Sequence, residues 1–463
     1  MSDLLSVLAN AGSSLAAQQA LQATAGHNVE NANTPGFARQ RVSIAAVQPA
    51  ESVNGQYIGR GATVQAITQA RDRFLEAQIP VALGQAASSA AEADALSSVH
   101  ALDPTAPGSL GDALSSFYAS LQALTRDPGN TSLRTAALGS ATGLAASFQR
   151  TRGALESTRT GIDQQVSGLV SQVNAEAAQV AELNVQIRIA SAGGGSPNDL
   201  LDARQQHLDT LAQLVGATPV PTSGSDVQVM LAGGVALVSG DRAGTLSTST
   251  RTDGHLGLAI ALPGSAGAQP LATSLGGQMG GALAARDGAL AEAVSGLDHL
   301  AYDVAGAVNA VHAASYGVDG STGLDLFQVG TSFDGAAAVI AVNAAVGVKQ
   351  LATAGAAAAP GDAAGALALV ATQDAALASS GTTVQGTLSS MTSAFGTAAS
   401  RAQAFSENDA ALRDHLTNLR ESASGVSVDD ELIAMQAAQR GYQAITQVIQ
   451  VADSMLDTLL KLR

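Results

Sequence analysis

The sequence predicts a mainly α-helical protein with one or more β-rich domains inserted into a helical core. Three observations carry that prediction. Both ends of the chain bear apolar stripes at helical spacing, the stretch from about Thr131 to Ala190 contains no proline, and the composition changes at Gly216. Beyond Gly216, Val, Thr, Ser and Gly alternate with no helical period, as in Val227-Gln228-Val229-Met230-Leu231. Steps of three and four residues line up on one face of a helix, whereas alternation lines up on one face of a strand.

The first helix is drawn by Leu4, Leu8, Ala11, Leu15, Gln18, Gln22, Ala25 and Val29, and it stops at Asn31-Ala32-Asn33-Thr34-Pro35-Gly36-Phe37. Pro35 drives Thr34 out of helical geometry, and Pro-Gly suits the centre of a type II turn. Short extended stretches follow near 40–47 and 62–67. Helical spacing then covers 70–99, breaks at Asp103-Pro104 and Pro107-Gly108, and resumes over 110–124. Asp127-Pro128-Gly129-Asn130 is a turn before the long helix at 131–190, whose stripe includes Leu155, Ile162, Val166, Leu169, Val173, Val180, Leu183 and Ile187. Gly193-Gly194-Gly195-Ser196-Pro197 ends that rod, and a shorter helix spans 199–214.

Residues 217–275 read as several short strands. Helix is expected again over 283–314, a Gly- and Ala-rich β region over 316–362, and helix over 363–421. The last helix carries Leu432, Met435, Gln439, Tyr442, Ile445, Ile449, Ala452, Leu456 and Leu459. Ser427 with Asp430 three residues on reads as its N-cap, and Asp429, Asp430 and Glu431 sit where the helix dipole favours negative charge. Lys461 and Arg463 complete the charge pattern at the other end. Gly441, in mid-helix, opposes it by about 1 kcal/mol relative to Ala.

The expected organisation is nested. Residues 1–40 and 425–463 form two halves of a terminal coiled-coil domain. Residues 41–215, with a short N-terminal β region, and 363–424 form the helical core domain, with 281–315 a core helix. The outer β inserts are 216–280 and 316–362.

Composition narrows the function. Only 13% of residues are charged and the net charge is −16, which argues against nucleic acid and against an anionic membrane surface. There is no cysteine, so disulfides, thiolate catalysis and Cys-based zinc sites are excluded. No apolar run approaches a bilayer span, and Asp3 stands where a signal peptide would be basic, so a cleaved signal is not expected.

The sought chemistry is absent from the motifs. No two of the seven histidines have the i, i+4 spacing of a zinc helix, and there is no P-loop or Gly-x-Ser-x-Gly elbow. Gly276-Gly277-Gln278-Met279-Gly280-Gly281 reads as a tight turn, and so does Asp319-Gly320-Ser321-Thr322-Gly323-Leu324-Asp325. Asp199, Asp202 and Asp209, beside Arg204, read as a solvated face with local ion pairs rather than an acid–base set. The sequence therefore points to neither an enzyme nor a cofactor. The terminal stripes need a partner, and spacing leaves open whether this is each other or neighbouring subunits. Gln18, Gln22 and Gln439, polar residues within the stripes, would gain from such neighbours.

Several blocks carry a resemblance. Asn31, Asn33, Thr34, Pro35, Gly36 and Phe37, followed by Arg39-Gln40, are similar to the turn after the first helix of bacterial flagellar axial proteins. Asn198, Asp199, Leu200, Leu201, Asp202 and Arg204 resemble a signature of the flagellar hook-associated protein 1 family. Gly276-Gly277, Gly280-Gly281, Arg286 and Asn309-Ala310-Val311-His312 resemble its next helical block. The tail from Gly425 through Glu431, Gln436, Gln439, Tyr442, Gln443, Ile449, Asp453 and Leu456 resembles its C-terminus. Glu30 and Arg440-Gly441 depart from the pattern, and residues 328–400 match nothing in it.

The resemblance implies a structural, non-catalytic component of the bacterial flagellum at the junction of hook and filament. It implies a ring-like homo-oligomer joined through the terminal helices, with the hook protein and the next hook-associated protein as partners. It also implies an extracellular location reached through the flagellar type III export apparatus, with an export chaperone. Rival readings are a sibling rod or hook protein, an Ala-rich coiled-coil signalling protein, and a peptidoglycan hydrolase using Asp199 and Asp202.

Overall fold

The computed structural model describes residues 2–47, 52–53, 56–57, 60–222, 224–271 and 275–461. Helix α1 (Ser2–Glu30) leads into an antiparallel hairpin of β1 (Gln40–Ala46) and β4 (Ala62–Gln69), with Gln40 opposite Gln69. The short strands β2 (Ser52–Val53) and β3 (Gln56–Tyr57) pair with each other between them. Helix α2 (Arg73–Ser97) starts where Asp72 accepts the amide hydrogens of Phe74 and Leu75, and α3 (Leu110–Leu124) starts on Ser109.

Helix α4 (Thr131–Ala192) runs 62 residues, about 93 Å at roughly 1.5 Å per residue. Asn130 caps its start, and Gly194, at φ 78°, turns the chain away from its end. Its buried stripe, from Ala137 and Leu144 through Leu155, Val166 and Val180 to Ile187, is covered in turn by the elements that follow. Helix α5 (Asn198–Val215) folds back along α4 and stops at Gly216 in the left-handed region.

The outer insert holds β5 (Thr218–Pro221), β6 (Val227–Leu231), β7 (Val235–Ser239) and β8 (Arg242–Ala243) in one antiparallel sheet, in that order. Strands β9 (Thr245–Thr250), β10 (Leu256–Ala261) and β11 (Ala268–Pro270) form a second, with β10 central. Val229, Leu231, Leu237, Val238, Leu246 and Ile260 turn inward and join one apolar core with the α4 stripe. Two asparagines on α4 fix the insert. Asn174 exchanges both hydrogen bonds with the Leu246 backbone (2.9 and 2.8 Å), and Asn184 donates to Val227 (3.0 Å) and Gly240 (2.8 Å).

The remaining elements are α6 (Gly277–Asp287), α7 (Ala289–Ala314), β12 (Phe327–Gln328), α8 (Ala336–Val339), β13 (Ala341–Val342), α9 (Ala364–Ala371), α10 (Val384–Ser424) and α11 (Val428–Lys461). Three sequence expectations change here. The glycine block at 276–281 is more than a turn, because Gly280 and Gly281 lie inside α6. A Cβ on Gly281 would overlap the Ser88 carbonyl of α2, so glycine is what lets the two helices meet.

The β region expected over 316–362 reduces, among the described residues, to the two-residue β12–β13 pair, one isolated bridge from Tyr316 to Ala354, the short helix α8, and turns. Glycine and alanine give a strand little side chain with which to cover a core. Side chains from α7 hold the segment instead. Asn309 exchanges two hydrogen bonds with the Phe327 backbone (2.7 and 2.8 Å), and His312 bridges Leu324 and Ala352.

The single helix expected over 363–421 divides into α9 and α10. Gly381 sits at φ 67°, and the Thr383 hydroxyl accepts from Gly386 to restart the helix. Ser427 does accept the Asp430 amide hydrogen (3.4 Å) at the start of α11, and Lys461 pairs with Asp457 (2.9 Å). Arg463 lies outside the described residues.

Candidate functional site: the terminal helix pair and its joint

Helices α1 and α11 pack on each other and run antiparallel. Asn28 meets Glu431 (3.1 Å), and ten residues along each helix Gln18 lies against Gly441. On α11 the inward positions are Glu431, Met435, Ala438, Tyr442, Ile445, Ile449, Ala452 and Leu456, all buried or half-buried. This is a strict four-three alternation, the spacing of a coiled-coil seam. On α1, Ala11, Ala17, Ala25 and Asn28 are buried, and Leu4, Leu8, Leu15, Gln18 and Val29 are half-buried.

The seam differs from the stripe read in the sequence at four positions. Leu432, Gln439 and Leu459 on α11, and Gln22 on α1, are exposed. The register moves by one residue at 431 and 438, because Arg39 draws Glu431 inward and Ala438 allows close approach. Gln22 and Gln439 are therefore not core positions of the pair.

Outside the seam, α11 exposes Leu432, Ile433, Val448, Val451, Met455 and Leu460. Ile433 is 67% exposed and Val451 55%, so this side of α11 presents apolar side chains to solvent.

Below the pair, the 198–204 motif forms a polar joint. Asp199 meets His27 (3.1 Å) and accepts from Gln40 Nε2 (2.9 Å). Asn198 donates to the carbonyl of Ile67 (3.0 Å) and to Gln40 Oε1 (3.3 Å). Asp202 accepts from Gln69 (2.7 Å) and the Ala38 amide (3.4 Å) and is paired with Arg71. Arg71 also reaches Glu76 (3.0 Å) at the start of α2. Arg204 faces the other way, to Asn184 (2.9 Å) and the Ser225 carbonyl (2.7 Å). One helical turn thus ties the hairpin, the long helix and the outer insert together. Leu200 and Leu201 lie half-buried within it.

Two further connections cross from this joint to the C-terminal helices, one to α11 and one to the last residue of α10. Arg39 Nε pairs with Glu431 Oε1 at 2.5 Å, and the Arg39 amide donates to Ser424 (2.9 Å). Asn28 and Gln40 exchange both hydrogen bonds at 2.9 Å, which locks α1 to β1. Of the turn residues, Asn31 bonds back to the His27 carbonyl (3.0 Å) and Thr34 to Asn31 (3.2 Å). The Pro35 carbonyl accepts from Gln206, and Phe37 stacks edge-on against His27, with ring centroids 5.4 Å apart. Asn33 and Gly36 are exposed and line a groove of about 640 Å³ between this turn and residues 420–427.

Burial shapes the electrostatics of the joint. It pushes the Asp202 carboxyl above its ordinary value, against the pull of Arg71, Ala38 and Gln69, and it raises Glu76 against the pull of Arg71. Asp199 and Asp202 are thus bound to structural partners on several sides, and Asp209 pairs with Arg420 (2.9 Å) on α10. The sequence did not single out Asn28, Gln69, Arg71 or Asn184. Only Asn184 left a trace, as a polar residue amid the stripe of Val180, Leu183 and Ile187.

A nested helical chain whose two ends form one antiparallel pair, and whose turn and tail fasten that pair to a rod, has the architecture of a flagellar axial protein. Residues 95–327 match the flagellar hook-associated protein FlgK helical domain, and residues 420–462 match the flagellar basal body rod FlgEFG protein C-terminal region. Flagellar hook-associated protein 1 of Salmonella typhimurium is 31% identical over 331 residues, 70% of this chain and 60% of that protein. The Escherichia coli K12 protein of the same name is 30% identical over 330 residues, with the same coverage. The Bacillus subtilis one is 32% identical over 215 residues, 45% of this chain and 42% of that protein. The matches thus span about three fifths, or less, of these relatives' length. A solved structure of the flagellar hook junction protein FlgK from Burkholderia pseudomallei shares the fold, with a TM-score of 0.68 at 19% identity, over 75% of this chain and all of that one. The chain belongs to the flagellar hook-associated protein FlgK family.

Proposed function

We infer that this chain is a structural joint between the hook and the filament of a bacterial flagellum, assembled through its terminal helices. The observation that carries the reading is the outer side of α11. It keeps Leu432, Ile433, Val448, Val451, Met455, Leu459 and Leu460 exposed while its inner side is already paired with α1. Apolar surface of that extent is stabilised when covered, at roughly 25 cal/mol per Å². Copies of the same chain, arranged as a ring, supply the cover.

In this reading residues 1–40 and 425–463 act as one assembly unit, and Gln22 and Gln439 face neighbours. The outer inserts project from the rod. The hook protein on one side and the next hook-associated protein on the other are the partners. Family membership supports a flagellar location, and with it export through the flagellar type III apparatus with a chaperone. Among the described residues, no helix is long and apolar enough to cross a membrane. Asp199 and Asp202 serve the joint and not cell-wall cleavage.

The test is removal of residues 428–463. The truncated chain should remain a folded rod but fail to hold filaments on hooks, so that cells shed filament into the medium. Normal filament attachment by that truncation would overturn the reading.

A further inference from the structure

Away from the terminal pair, α10 carries a row at heptad spacing: Met391, Ala398, Phe405, Leu412 and Leu419. The first two pack against the chain's own core, with Met391 against Gly296 of α7. The last three are bare, at 55%, 51% and 40% exposure, and stand roughly 10 Å apart along the helix. Arg401, exposed one turn before Phe405, has no ion-pair partner among the described residues.

A second surface has the opposite shape. A groove of about 700 Å³ runs between α2 and α4, with α5 and α6 as its floor. Its α2 wall is Ala87, Ala90, Ala91 and Ala95, and Gly161 faces them from α4. Small side chains leave room for large ones. Asp94 is the one charged residue of the lining, and its carboxylate has no cationic partner among the described residues.

We propose that the α10 row of one copy seats in the α2–α4 groove of the next, with Phe405 and Leu412 filling the alanine-lined space and Arg401 meeting Asp94. The proposal rests on the self-assembly reading above and adds a second contact to it, on the rod. Seating Arg401 at Asp94 sets Phe405 beside Ala90 and Ala91 and Leu412 at the far end of the wall, with the two helices antiparallel. Because knob and groove are different patches of one chain, the contact is head-to-tail and generates a ring or helix rather than a closed pair.

The absence of cysteine makes the test direct. The variant Ala91→Cys/Phe405→Cys is expressed in place of the natural chain, and hook–filament particles are sheared off, oxidised and run without reductant. The expected result is a ladder of dimer, trimer and higher species, with each single variant running as monomer. Particles that contain the protein and cross-link through a control pair on neighbouring α11 helices, but give only monomer with 91 and 405, overturn this contact and leave the terminal joint standing. A dimer with nothing above it overturns the head-to-tail geometry. Particles lacking the protein overturn the self-assembly reading itself. Charge reversal supplies an independent measure. Asp94→Arg and Arg401→Asp should each lose the ladder obtained by lysine-independent photo-cross-linking, and the double reversal should restore it. Unchanged ladders in both single reversals contradict the pairing.

Discussion

Gly441 of α11 sits directly against Gln18 of α1, where an added Cβ would lie 2.8 Å from the Gln18 side-chain Cδ and Oε1. The residue that looks like a flaw in the terminal helix is a point where α11 leaves no room for a side chain beside α1 as Gln18 is placed. Its helix-propensity cost of about 1 kcal/mol is set against close packing along the seam.

Replacing Gly441 with Leu should force the helices apart and speed proteolytic cleavage within 428–461. Gly441→Ala should be tolerated, since Gln18 is flexible at its far end and Ala restores about 1 kcal/mol of helix propensity. Trimming the opposing side chain, as Gln18→Ala with Gly441→Leu, should recover protection. Equal cleavage rates in all these variants would show that the close approach has no energetic role.

Arg39 and Glu431 are 392 residues apart in sequence and meet at 2.5 Å, with the Glu431 side chain only 4% exposed. Arg39→Ala leaves that carboxylate with Asn28 alone, and breaking a buried pair in this way costs about 3–5 kcal/mol. Because Arg39 is itself a quarter exposed, the expectation is the lower end of that range. Hydrogen exchange should rise locally over 424–435 in Arg39→Ala and rise less in Glu431→Gln, which removes the charge as well as the pair. The reverse order would contradict the account.

His312 gives a pH dependence with a definite sign. It is 1% exposed, one ring nitrogen faces the Leu324 carbonyl (2.5 Å), and the other accepts the Ala352 amide hydrogen (3.0 Å). Burial holds its pKa below the ordinary 6.5, so the unfolded chain binds more protons than the folded one below that pH. Stability from this group is therefore full above about 6.5 and falls as pH drops from there toward the folded-state value. Protection factors over 316–354, each referred to the intrinsic exchange rate at its own pH, should fall between pH 7.5 and 5.5, and His312→Gln should flatten that dependence. A flat profile in the natural chain would refute the assignment.

Asn184→Ala should loosen the outer insert without unfolding the rod. It removes acceptors and donors from Val227, Gly240 and Arg204, and leaving such buried groups unpaired costs about 1–3 kcal/mol each. Thermal unfolding should then show an early transition assigned to 218–270, whereas Asn184→Asp, which keeps the acceptor for Arg204, should fall between.

What the sequence made legible follows from how local each cause is. Helix α4 was readable because its apolar spacing and lack of proline act within a few residues of each other. The Ser427 cap is equally local. The seam of α11 lies one residue from the sequence stripe at 431 and 438, because Glu431 is buried by an arginine from the other end of the chain. Residues 316–362 carry no period that reports their structure, because what orders them is Asn309 and His312 on α7. The glycines at 280 and 281 looked like a turn because the Ser88 carbonyl that needs their empty space lies on a different helix. At the joint, the 198–204 block is marked by resemblance and its carboxylates suggest a solvated face, whereas Asp202 and Arg204 are buried among Gln69, Arg71 and Asn184, which the block itself does not report.

The most direct measurement is hydrogen–deuterium exchange across α11 in the monomer and in hook–filament junctions carrying this chain. If the terminal pair is an assembly joint with one side open, amides over 432–460 should exchange fast in the monomer and slow strongly on assembly, while those of α4 stay slow in both. Equal exchange over 432–460 in the two states would contradict the account.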